Sequence, residues 1–295
     1  MIAVDLGSNT IRFVEFDGIK WGRSFEKIVR TAEGLHETQR IGSHAIERIV
    51  AAIAEAREHL DFSSQAVVAY TTAAMRLALN ASEAIDAIEA GSGIRFIPID
   101  AQKEASLTLS AVRYRLHKLG MKAEPFILAD IGGGSTELIR YENGQSSAIS
   151  LDTGIVTLSE RADSDVALQK RIDDFKNDVR ASLDRTEAAF VLTAGTPTTI
   201  AAYLNGMDYE TYDPERINGY RLRLEECYRV YDELLAMDED DRVRYVGVGR
   251  ENLIITGILM VTALYETLGC EEAIIIDDGL REGIALEYYT AQDSK

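Results

Sequence analysis

The chain alternates between short apolar runs and longer segments with helical periodicity, and this pattern predicts alternating strands and helices. The runs at 2–6 and 126–130 have the length of buried strands. Residues 44–60 carry apolar side chains at helical spacing, and Ser43 before them favours a helix N-cap. Alternation of this kind indicates an α/β protein with mixed sheets flanked by helices.

The same criteria predict the other elements and a division into two domains. Further strands are expected at 11–17, 66–72, 94–100, 136–142, 147–151, 188–195 and 272–277. Further helices are expected at 82–93, 101–119, 154–162, 165–184, 197–205, 223–236, 250–268 and 279–292. A short join near 119–125 separates domains at 1–122 and 123–295, and packing of the last helix onto the first domain is left open.

An internal repeat links the two predicted domains. The stretch DLGSNTIRFVEF at 5–16 aligns without a gap with DIGGGSTELIRY at 130–141, which lies 125 residues later. Aspartate and glycine are identical at the first and third positions, and several other pairs are conservative. Duplicated β-hairpin loops that face each other across a cleft would produce this pattern.

The two repeated loops have the chemistry of phosphate binding. Glycines allow backbone N–H groups to turn toward an anion and allow the anion to approach closely. Hydroxyl groups that add donors are those of Ser8, Thr10, Ser135 and Thr136. Asp130 and Glu137 flank the second loop, and two carboxylates at one hairpin mouth suit Mg²⁺, which can bridge phosphate oxygens. One such loop is a weak signal, but two copies at domain spacing favour phosphate binding.

A third glycine loop, TAGTPTT at 193–199, follows a predicted strand and precedes a predicted helix. Gly195 and Thr196 can present an amide and a hydroxyl at the helix N-terminus, which is an intrinsic anion site. Ordinary N-capping by threonine explains the same residues equally well, so both interpretations stay open.

Composition and charge narrow the classes of function. The 295 residues carry a formal charge of −18, which opposes binding to nucleic acid and to anionic membranes at long range. No apolar run reaches the roughly 18 residues of a membrane-spanning helix, and the N-terminus lacks the basic region of a signal peptide. Cys227 and Cys270 lack metal-ligand spacing and are expected to be buried, reduced and without a chemical role, which fits a cytoplasmic location.

Several motifs resemble those of the exopolyphosphatase and guanosine pentaphosphate phosphohydrolase family, within the actin-like superfamily. They span nearly the whole chain in the family's order. Besides the two repeated loops, they are RTAEGL (30–35), AYTTAAMR (69–76), LDTGIVTLSER (151–161), TAGTPTTIAA (193–202), INGYRL (217–222) and DDGLREGIALE (277–287). The combination of DIGGGSTE with DGLREG is highly specific for this family.

This resemblance implies two ribonuclease H-like (actin-like) domains separated by a cleft. It also implies hydrolysis of terminal phosphoanhydride bonds, which releases orthophosphate from polyphosphate or the 5′-terminal phosphate from guanosine pentaphosphate. Dimers are common in the family, so a homodimer is an open expectation. The chain ends soon after GLREGIALEYY, as expected for a compact two-domain form without the further C-terminal region of longer members.

The resemblance also implies roles for individual residues. Glu104 matches the family's proposed general base, and Arg76 matches an arginine that faces the cleft and suits a bidentate phosphate contact. Glu137 is expected to contact the attacking water as well as Mg²⁺, and Asp5 to hold a second ion or a bridging water. The expected metal ligands are Asp130, Glu137 and Asp5, and the expected phosphate contacts are Ser8, Asn9, Thr10, Arg12, Arg30, Gly132, Gly133, Gly134, Ser135, Gly195 and Thr196.

Two motifs depart from the family pattern. The family's I-S-G-x-E-E-A reads IDAQKEA at 99–105, which keeps Glu104 but replaces the serine by Asp100 and the first glutamate by Lys103. The family's V-H-G reads ING, which places Asn218 where the family has a titratable histidine. The choice between polyphosphate and guanosine pentaphosphate, and any chain-length preference, stays open.

Two alternatives from other functional classes also stay open. An actin-like ATPase or small-molecule kinase would share the loops, although no adenosine pocket can be assigned from the residues. A non-catalytic regulator that binds polyphosphate or an alarmone would keep the fold, and the altered IDAQKEA turn favours it.

Overall fold

The computed structural model describes residues 1–160, 164–183 and 188–293. Contacts within it form two compact units. Unit 1 comprises Met1–Ala111 and the segment from Gly279 onward, and unit 2 comprises Val112–Asp278. The domain boundary expected from the sequence stays a prediction.

Strands and helices alternate along the chain, as the apolar pattern predicts. The strands are β1 (Ile2–Leu6), β2 (Thr10–Phe16), β3 (Trp21–Ile28), β4 (Val67–Thr71), β5 (Ile97–Pro98), β6 (Phe126–Ile131), β7 (Thr136–Glu142), β8 (Gln145–Leu151), β9 (Ala189–Thr193), β10 (Tyr220–Arg223) and β11 (Glu272–Ile275). The helices are α1 (Leu35–Thr38), α2 (Ser43–His59), α3 (Ala73–Leu77), α4 (Ala81–Ser92), α5 (Ala101–Lys118), α6 (Ile155–Glu160), α7 (Asp165–Ser182), α8 (Gly195–Leu204), α9 (Pro214–Ile217), α10 (Leu224–Ala236), α11 (Glu239–Val246), α12 (Leu253–Leu268) and α13 (Leu280–Asp293).

Unit 1 contains a mixed sheet in the strand order β3-β2-β1-β4-β5. The strands β1, β2 and β3 form an antiparallel meander, and β1 also pairs in parallel with β4. Helix α13 packs on this sheet, where Ile284 and Ala285 are buried in one cluster with Met1 and Ala3. The hairpin of β1 and β2 is therefore held from the side by a core that includes the last helix.

Unit 2 contains a mixed sheet in the order β10-β11-β9-β6-β7-β8. The strands β6, β7 and β8 form an antiparallel meander, and β6 pairs in parallel with β9. Helix α12 contributes to the core, where the buried Tyr265 donates its hydroxyl to the Leu222 carbonyl at 2.8 Å. The order β8-β7-β6-β9 repeats the order β3-β2-β1-β4 of unit 1, so the sequence repeat is also a repeat of topology.

The cysteines contribute to the core of unit 2 and do not form a disulfide. Cys227 is buried and Cys270 is half-buried, so the expectation of burial is met fully by Cys227 alone. Burial raises the pKa of the Cys227 thiol to about 12, which keeps the thiol protonated at neutral pH. Among the described residues, no helix combines the length and the apolarity that a membrane crossing requires.

The structure corrects two predictions in unit 1. The strand expected at 94–100 is reduced to Ile97–Pro98, since proline has no N–H to donate to the ladder and Ile97 is 54% exposed. Helix α2 begins at Ser43 and its N-cap is Gly42, so Ser43 is not the cap. An apolar pattern predicts the presence of a helix more accurately than it predicts the residue at which the helix begins.

Other differences concern short elements and helix ends in unit 2. The elements α9, β10 and α11 were not predicted, because each is too short or too charged to show a clear apolar period. The positions 161–162 and 184, which were expected to end two helices, lie outside the described residues.

Gly283 allows helix α13 to approach helix α5 closely. A Cβ atom on this residue would lie 2.2 Å from the Leu107 carbonyl oxygen. We expect Gly283→Ala to lower the free energy of unfolding by roughly 1–3 kcal/mol, because the backbone must shift to admit the methyl group. Urea unfolding followed by circular dichroism measures the change. The control Thr290→Ala alters an exposed side chain on the same helix, and equal unfolding midpoints for the two variants would contradict the close approach.

Candidate active site

The two repeated loops have the same backbone turn. We call residues 7–10 the first loop and residues 132–135 the second loop. In the first loop, the Gly7 N–H donates to the Thr10 carbonyl at 3.0 Å. In the second loop, the Gly132 N–H donates to the Ser135 carbonyl at 2.9 Å. The repeat seen in the sequence is therefore a repeat of hydrogen bonding as well.

The carbonyl groups of Gly132 and Gly133 in the second loop accept hydrogen bonds from the start of helix α6. The Ile155 N–H donates to the Gly132 carbonyl at 3.0 Å, and the Val156 N–H donates to the Gly133 carbonyl at 2.8 Å. These donors are at the start of α6, whose first N–H groups have no partner within the helix. The loop carbonyls thus accept hydrogen bonds from the first N–H groups of α6, and these bonds hold the loop in place.

Gly154 makes this contact possible. A Cβ atom on Gly154 would lie 2.5 Å from the Gly133 carbonyl carbon and 2.6 Å from the Gly134 nitrogen. Real Cβ contacts are not this short, so only glycine allows the start of α6 to reach the loop. The glycine of the LDTG sequence is therefore part of the site, although its sequence position alone does not reveal it.

The carbonyl groups of the first loop are bound by a different segment. The Ala32 N–H donates to the Ser8 carbonyl at 2.8 Å. The Asn9 carbonyl accepts from the N–H groups of Val29 and Arg30, both at 2.9 Å. In unit 1 the loop is therefore held by residues just after β3, whereas in unit 2 it is held by a helix terminus.

The hydrogen bonds to the loop carbonyls determine where the N–H groups of the loops point. In a planar trans peptide, the C=O and the following N–H point in opposite directions. When the carbonyls of Ser8, Gly132 and Gly133 are held on one side, the N–H groups of the next residues point to the other side. Within the described residues, the N–H groups of Asn9 and Gly134 donate no hydrogen bond. These N–H groups can therefore donate to an anion.

The second hairpin brings two carboxylates together. Asp130 and Glu137 are directly paired across β6 and β7, so both side chains lie on the same face. Glu137 is only 1% exposed. The hydroxyls of Ser135 and Ser150 each donate to Glu137 Oε1 at 2.8 Å. These two donors hold the carboxylate in a fixed orientation.

The first hairpin has a different charge at the corresponding positions. Asp5 is directly paired with Arg12 across β1 and β2. The Arg12 Nε also lies 3.4 Å from Glu26 Oε2. The first hairpin thus pairs a carboxylate with a guanidinium, whereas Asp130 and Glu137 place two like charges opposite each other. Like charges directly opposite destabilise a sheet unless a cation lies between them.

These carboxylates fit Mg²⁺ in one particular way. Among the described residues, no group of three or more His, Cys, Asp or Glu side chains is arranged to hold a metal ion. Mg²⁺ commonly binds through one or two carboxylates and completes its coordination with water and substrate phosphate oxygens. The Asp130 and Glu137 pair fits that mode, whereas Asp5 faces the cationic Arg12 and fits it less well.

Glu104 and Arg76 form an ion pair in unit 1. Arg76 Nη1 donates to Glu104 Oε2 at 2.6 Å and to the Ile99 carbonyl at 3.0 Å. Glu104 is in the first turn of α5 and is 9% exposed. The guanidinium therefore holds the carboxylate in a fixed orientation.

The altered IDAQKEA turn keeps its structural role. Asp100 Oδ1 accepts the Lys103 N–H at 2.7 Å, and the Asp100 carbonyl accepts the Glu104 N–H at 3.0 Å. Asp100 thus caps the start of α5, as a serine at this position would. The Lys103 ammonium group forms an ion pair with Glu287 on α13. The replacement residues thus support the turn, and Glu104 keeps a defined orientation.

In each unit, the predicted loops lie at the carboxyl-terminal ends of the parallel strands. In unit 1, Thr71 at the end of β4 donates its hydroxyl to the Leu6 carbonyl at 2.9 Å, beside the first loop. In unit 2, Asp130 at the end of β6 is paired with Thr193 at the end of β9, which places the third loop beside the second. Ligands of open α/β sheets bind at this edge.

The third loop, residues 193–199, begins helix α8 in an unusual way. Its N-cap is Ala194, with φ 82° and ψ 177° and no capping side chain. The Thr198 hydroxyl donates to the carbonyls of Ala194 and Gly195 at 3.0 and 3.1 Å, so N-capping by threonine is wrong. Non-glycine residues in this backbone region are strained and concentrate at functional sites. Gly195 and Thr196 are in the first turn of α8, beside the second loop.

Arg30 and the nearby Lys27 differ in their surroundings. Arg30 has a left-handed backbone with φ 48°, and its Nη1 lies 3.8 Å from Glu33. Lys27 pairs with Glu55 at 2.8 Å on the exposed surface. Arg30 is half exposed, at 45% for its side chain, and is the better placed of the two because its own N–H binds the first loop.

Asn218 has a structural role in unit 2. Its Oδ1 accepts the Asp277 N–H at 2.8 Å. Beside it, the buried Asp278 carboxylate accepts from Arg115 Nε, with both oxygens at 3.0 Å. In the same motif, Arg281 pairs with Glu282. The Gly279 N–H donates to Glu282 Oε2 at 2.8 Å, so the motif also contributes to the start of the last helix.

Sequence reasoning missed two residues that shape the second loop. Ser150 is on β8 and orients Glu137, and Gly154 admits the start of α6. The LDTG sequence after a predicted strand is the only local signal for Gly154. Ser150 gives no such signal, because its role depends on the register of β7 and β8.

The chain matches a family model described as the Ppx/GppA phosphatase family over residues 23–291. It is 28% identical, over 315 aligned positions, to Exopolyphosphatase 2 of Mycobacterium tuberculosis, with 96% of this chain and 97% of that protein covered. It is also 28% identical to the guanosine-5'-triphosphate,3'-diphosphate pyrophosphatase of Vibrio cholerae, with 97% of this chain but only 58% of that protein covered.

The crystal structure of an Aquifex aeolicus member of the Ppx/GppA protein family matches with a TM-score of 0.78 at 24% identity, covering 99% of this chain and 98% of that one. This likeness confirms the predicted fold class of two actin-like domains with mixed sheets flanked by helices. The two relatives have the names of hydrolases, which agrees with the family description, and the predicted enzyme class is confirmed. Since the family model covers most of its length, the chain belongs to the Ppx/GppA phosphatase family.

Proposed function

We propose that this hydrolase cleaves terminal phosphoanhydride bonds and releases orthophosphate from inorganic polyphosphate, guanosine pentaphosphate or both. The observation that carries the proposal is the pair of matching loops whose carbonyls are captured, so that their amides are presented to an anion. A phosphate chain offers the repeated, highly charged oxygens that such loops bind. The Asp130 and Glu137 pair adds a site for Mg²⁺.

Phosphate binding is shared among several groups of the chain. The second loop contributes the backbone amides of Gly133 and Gly134, whereas the Gly132 N–H already donates within the turn. The first loop contributes amides and hydroxyls. Arg76 retains donors beyond Nη1, which is occupied by Glu104 and Ile99, and these donors suit a phosphate oxygen. Further contacts are proposed for Arg12, Arg30, Gly195 and Thr196.

Glu104 is proposed as the general base. Its carboxylate accepts a proton from a water molecule, whose oxygen attacks the terminal phosphorus atom. The bond from that phosphorus to the bridging oxygen breaks, and the electron pair stays on the oxygen of the shortened chain. The ion pair with Arg76 supports this role, because the carboxylate must be ionised and fixed in orientation to accept the proton.

Mg²⁺ is proposed to be held by Asp130 and Glu137, and Asp5 is proposed to hold a second ion or a bridging water. When bound there, the cation would neutralise phosphate oxygens as negative charge moves toward the leaving group. The hydroxyls of Ser135 and Ser150 keep Glu137 turned toward one side of the hairpin. Glu137 is also proposed to contact the attacking water.

The relatives suggest which substrate to test first. The relative of similar length is named an exopolyphosphatase, which favours polyphosphate. The relative named as a guanosine-5'-triphosphate,3'-diphosphate pyrophosphatase is longer than this chain, and guanosine pentaphosphate is therefore the second candidate substrate. A non-catalytic regulator loses its main support, because Asp100 and Lys103 stabilise the turn that precedes Glu104.

A substrate panel tests the proposed reaction. We expect Mg²⁺-dependent release of orthophosphate from polyphosphate, from guanosine pentaphosphate or from both, and much slower release from ATP. The measurement is initial phosphate release at equal concentrations of the three substrates, with Mg²⁺ and with a chelator. Rapid turnover of ATP alone would replace the proposal by an ATPase, and tight binding of polyphosphate without turnover would replace it by a regulator.

The general base has its own test. We expect Glu104→Gln to lower kcat by about 10²–10⁴-fold, because the amide cannot accept the proton from water, while KM changes little. The control Glu58→Gln removes a carboxylate from an exposed position of α2 and should leave both constants unchanged. A Glu104→Gln enzyme with the kcat of the wild type would exclude this residue as the base.

The support of Glu137 can be tested without changing a metal ligand. We expect Ser150→Ala to raise the Mg²⁺ concentration for half-maximal activity by about 10–100-fold, because Glu137 loses one of its two hydroxyl donors. Ser147→Ala on the same strand changes an exposed hydroxyl and is the matched control. Identical Mg²⁺ titrations of the two variants would show that the Ser150 hydroxyl does not influence a metal site.

A further inference from the structure

Arg48 on helix α2 makes a set of contacts that the proposed reaction does not use directly. Its Nε donates to the Val29 carbonyl at 2.8 Å, and its Nη2 donates to the Arg30 carbonyl at 3.3 Å. The same Nη2 donates to Glu33 Oε2 at 2.7 Å. One guanidinium therefore holds two consecutive backbone carbonyls and a nearby carboxylate.

These two carbonyls belong to the peptide planes on either side of the Arg30 Cα atom. Fixing both planes fixes the two backbone torsions of Arg30, because planar peptides leave only those torsions free. Arg30 has φ 48°, a left-handed conformation that non-glycine residues seldom adopt without support. The Arg48 side chain supplies that support from α2.

The conformation of Arg30 in turn determines the first loop. The N–H groups of Val29 and Arg30 both donate to the Asn9 carbonyl, and the Ala32 N–H donates to the Ser8 carbonyl. If residues 29–32 lost their conformation, these donors would move and the first loop would no longer be held. The chain of contacts thus runs from a helix side chain to the backbone of a phosphate-binding loop.

We propose that Arg48 is a positioning residue that sets the first loop for phosphate binding. It contacts residues 29, 30 and 33 and acts on substrate only through them. The inference rests on the proposed function, because it takes the first loop to bind the phosphate chain. The inference adds a residue outside the motifs. It also means that residues 29–32 hold the first loop, as the start of α6 holds the second.

The chain offers a matched control on the same helix. Arg57 also donates from Nη2 to a backbone carbonyl, that of Ser92, at 2.7 Å. Arg48→Met and Arg57→Met each remove one positive charge and the hydrogen bonds of one guanidinium from α2. They differ in that only Arg48 is connected to the first loop.

We expect Arg48→Met to raise KM for polyphosphate by about tenfold and to leave kcat within about twofold, because a disordered loop weakens binding more than it alters Glu104. Arg57→Met should leave both constants near those of the wild type. Arg48→Lys, which keeps a charge and a donor, should recover part of the lost affinity. Amide hydrogen exchange without substrate should be faster at residues 7–10 and 29–32 in Arg48→Met, and not in Arg57→Met.

Several results would overturn the inference. One is unchanged KM and unchanged exchange in Arg48→Met. Another is an equal loss of kcat and of unfolding temperature in both methionine variants, which would indicate a general effect on α2. If the wild type releases no phosphate from any substrate, the proposed function fails, and the exchange pattern alone then decides whether Arg48 positions the loop.

Discussion

The planar peptide group is the constraint on which the site depends. A loop can present amides to an anion only if its carbonyls are turned away and bound elsewhere. In unit 2 the start of α6 binds them, and in unit 1 residues 29–32 bind them. In unit 2 this approach also requires a glycine at position 154, since a Cβ there would lie 2.5 Å from the Gly133 carbonyl carbon.

The two hairpins of the repeat share the same backbone turn but differ in the charge of the residue opposite the aspartate. Both hairpins start with an aspartate at the end of a central strand, yet the residue across the ladder is Arg12 in unit 1 and Glu137 in unit 2. Two carboxylates opposite each other can be stabilised by a cation, whereas the residue opposite Asp5 carries a positive charge itself. Under the proposed function, the same backbone turn would serve a metal site in unit 2 and a direct phosphate contact in unit 1.

Much of this could be foreseen from the chain itself. The repeat at 5–16 and 130–141 predicted two hairpins with matching turns, and the alternation of apolar runs predicted mixed sheets. Local sequence could not predict that Ser150 orients Glu137, because that contact exists only in one register of β7 and β8. It also could not predict that Lys103 is neutralised by Glu287, 184 positions later.

The most direct test of the central claim observes the loop amides themselves. Two-dimensional ¹H–¹⁵N NMR spectra should be recorded with and without inorganic tripolyphosphate, using the Glu104→Gln protein, in which we expect slow hydrolysis. We predict downfield amide proton shifts for Asn9 in the first loop and for Gly133 and Gly134 in the second, as expected when an N–H donates to a phosphate oxygen. Saturable shifts elsewhere in the protein, with those three amides unchanged, would contradict it.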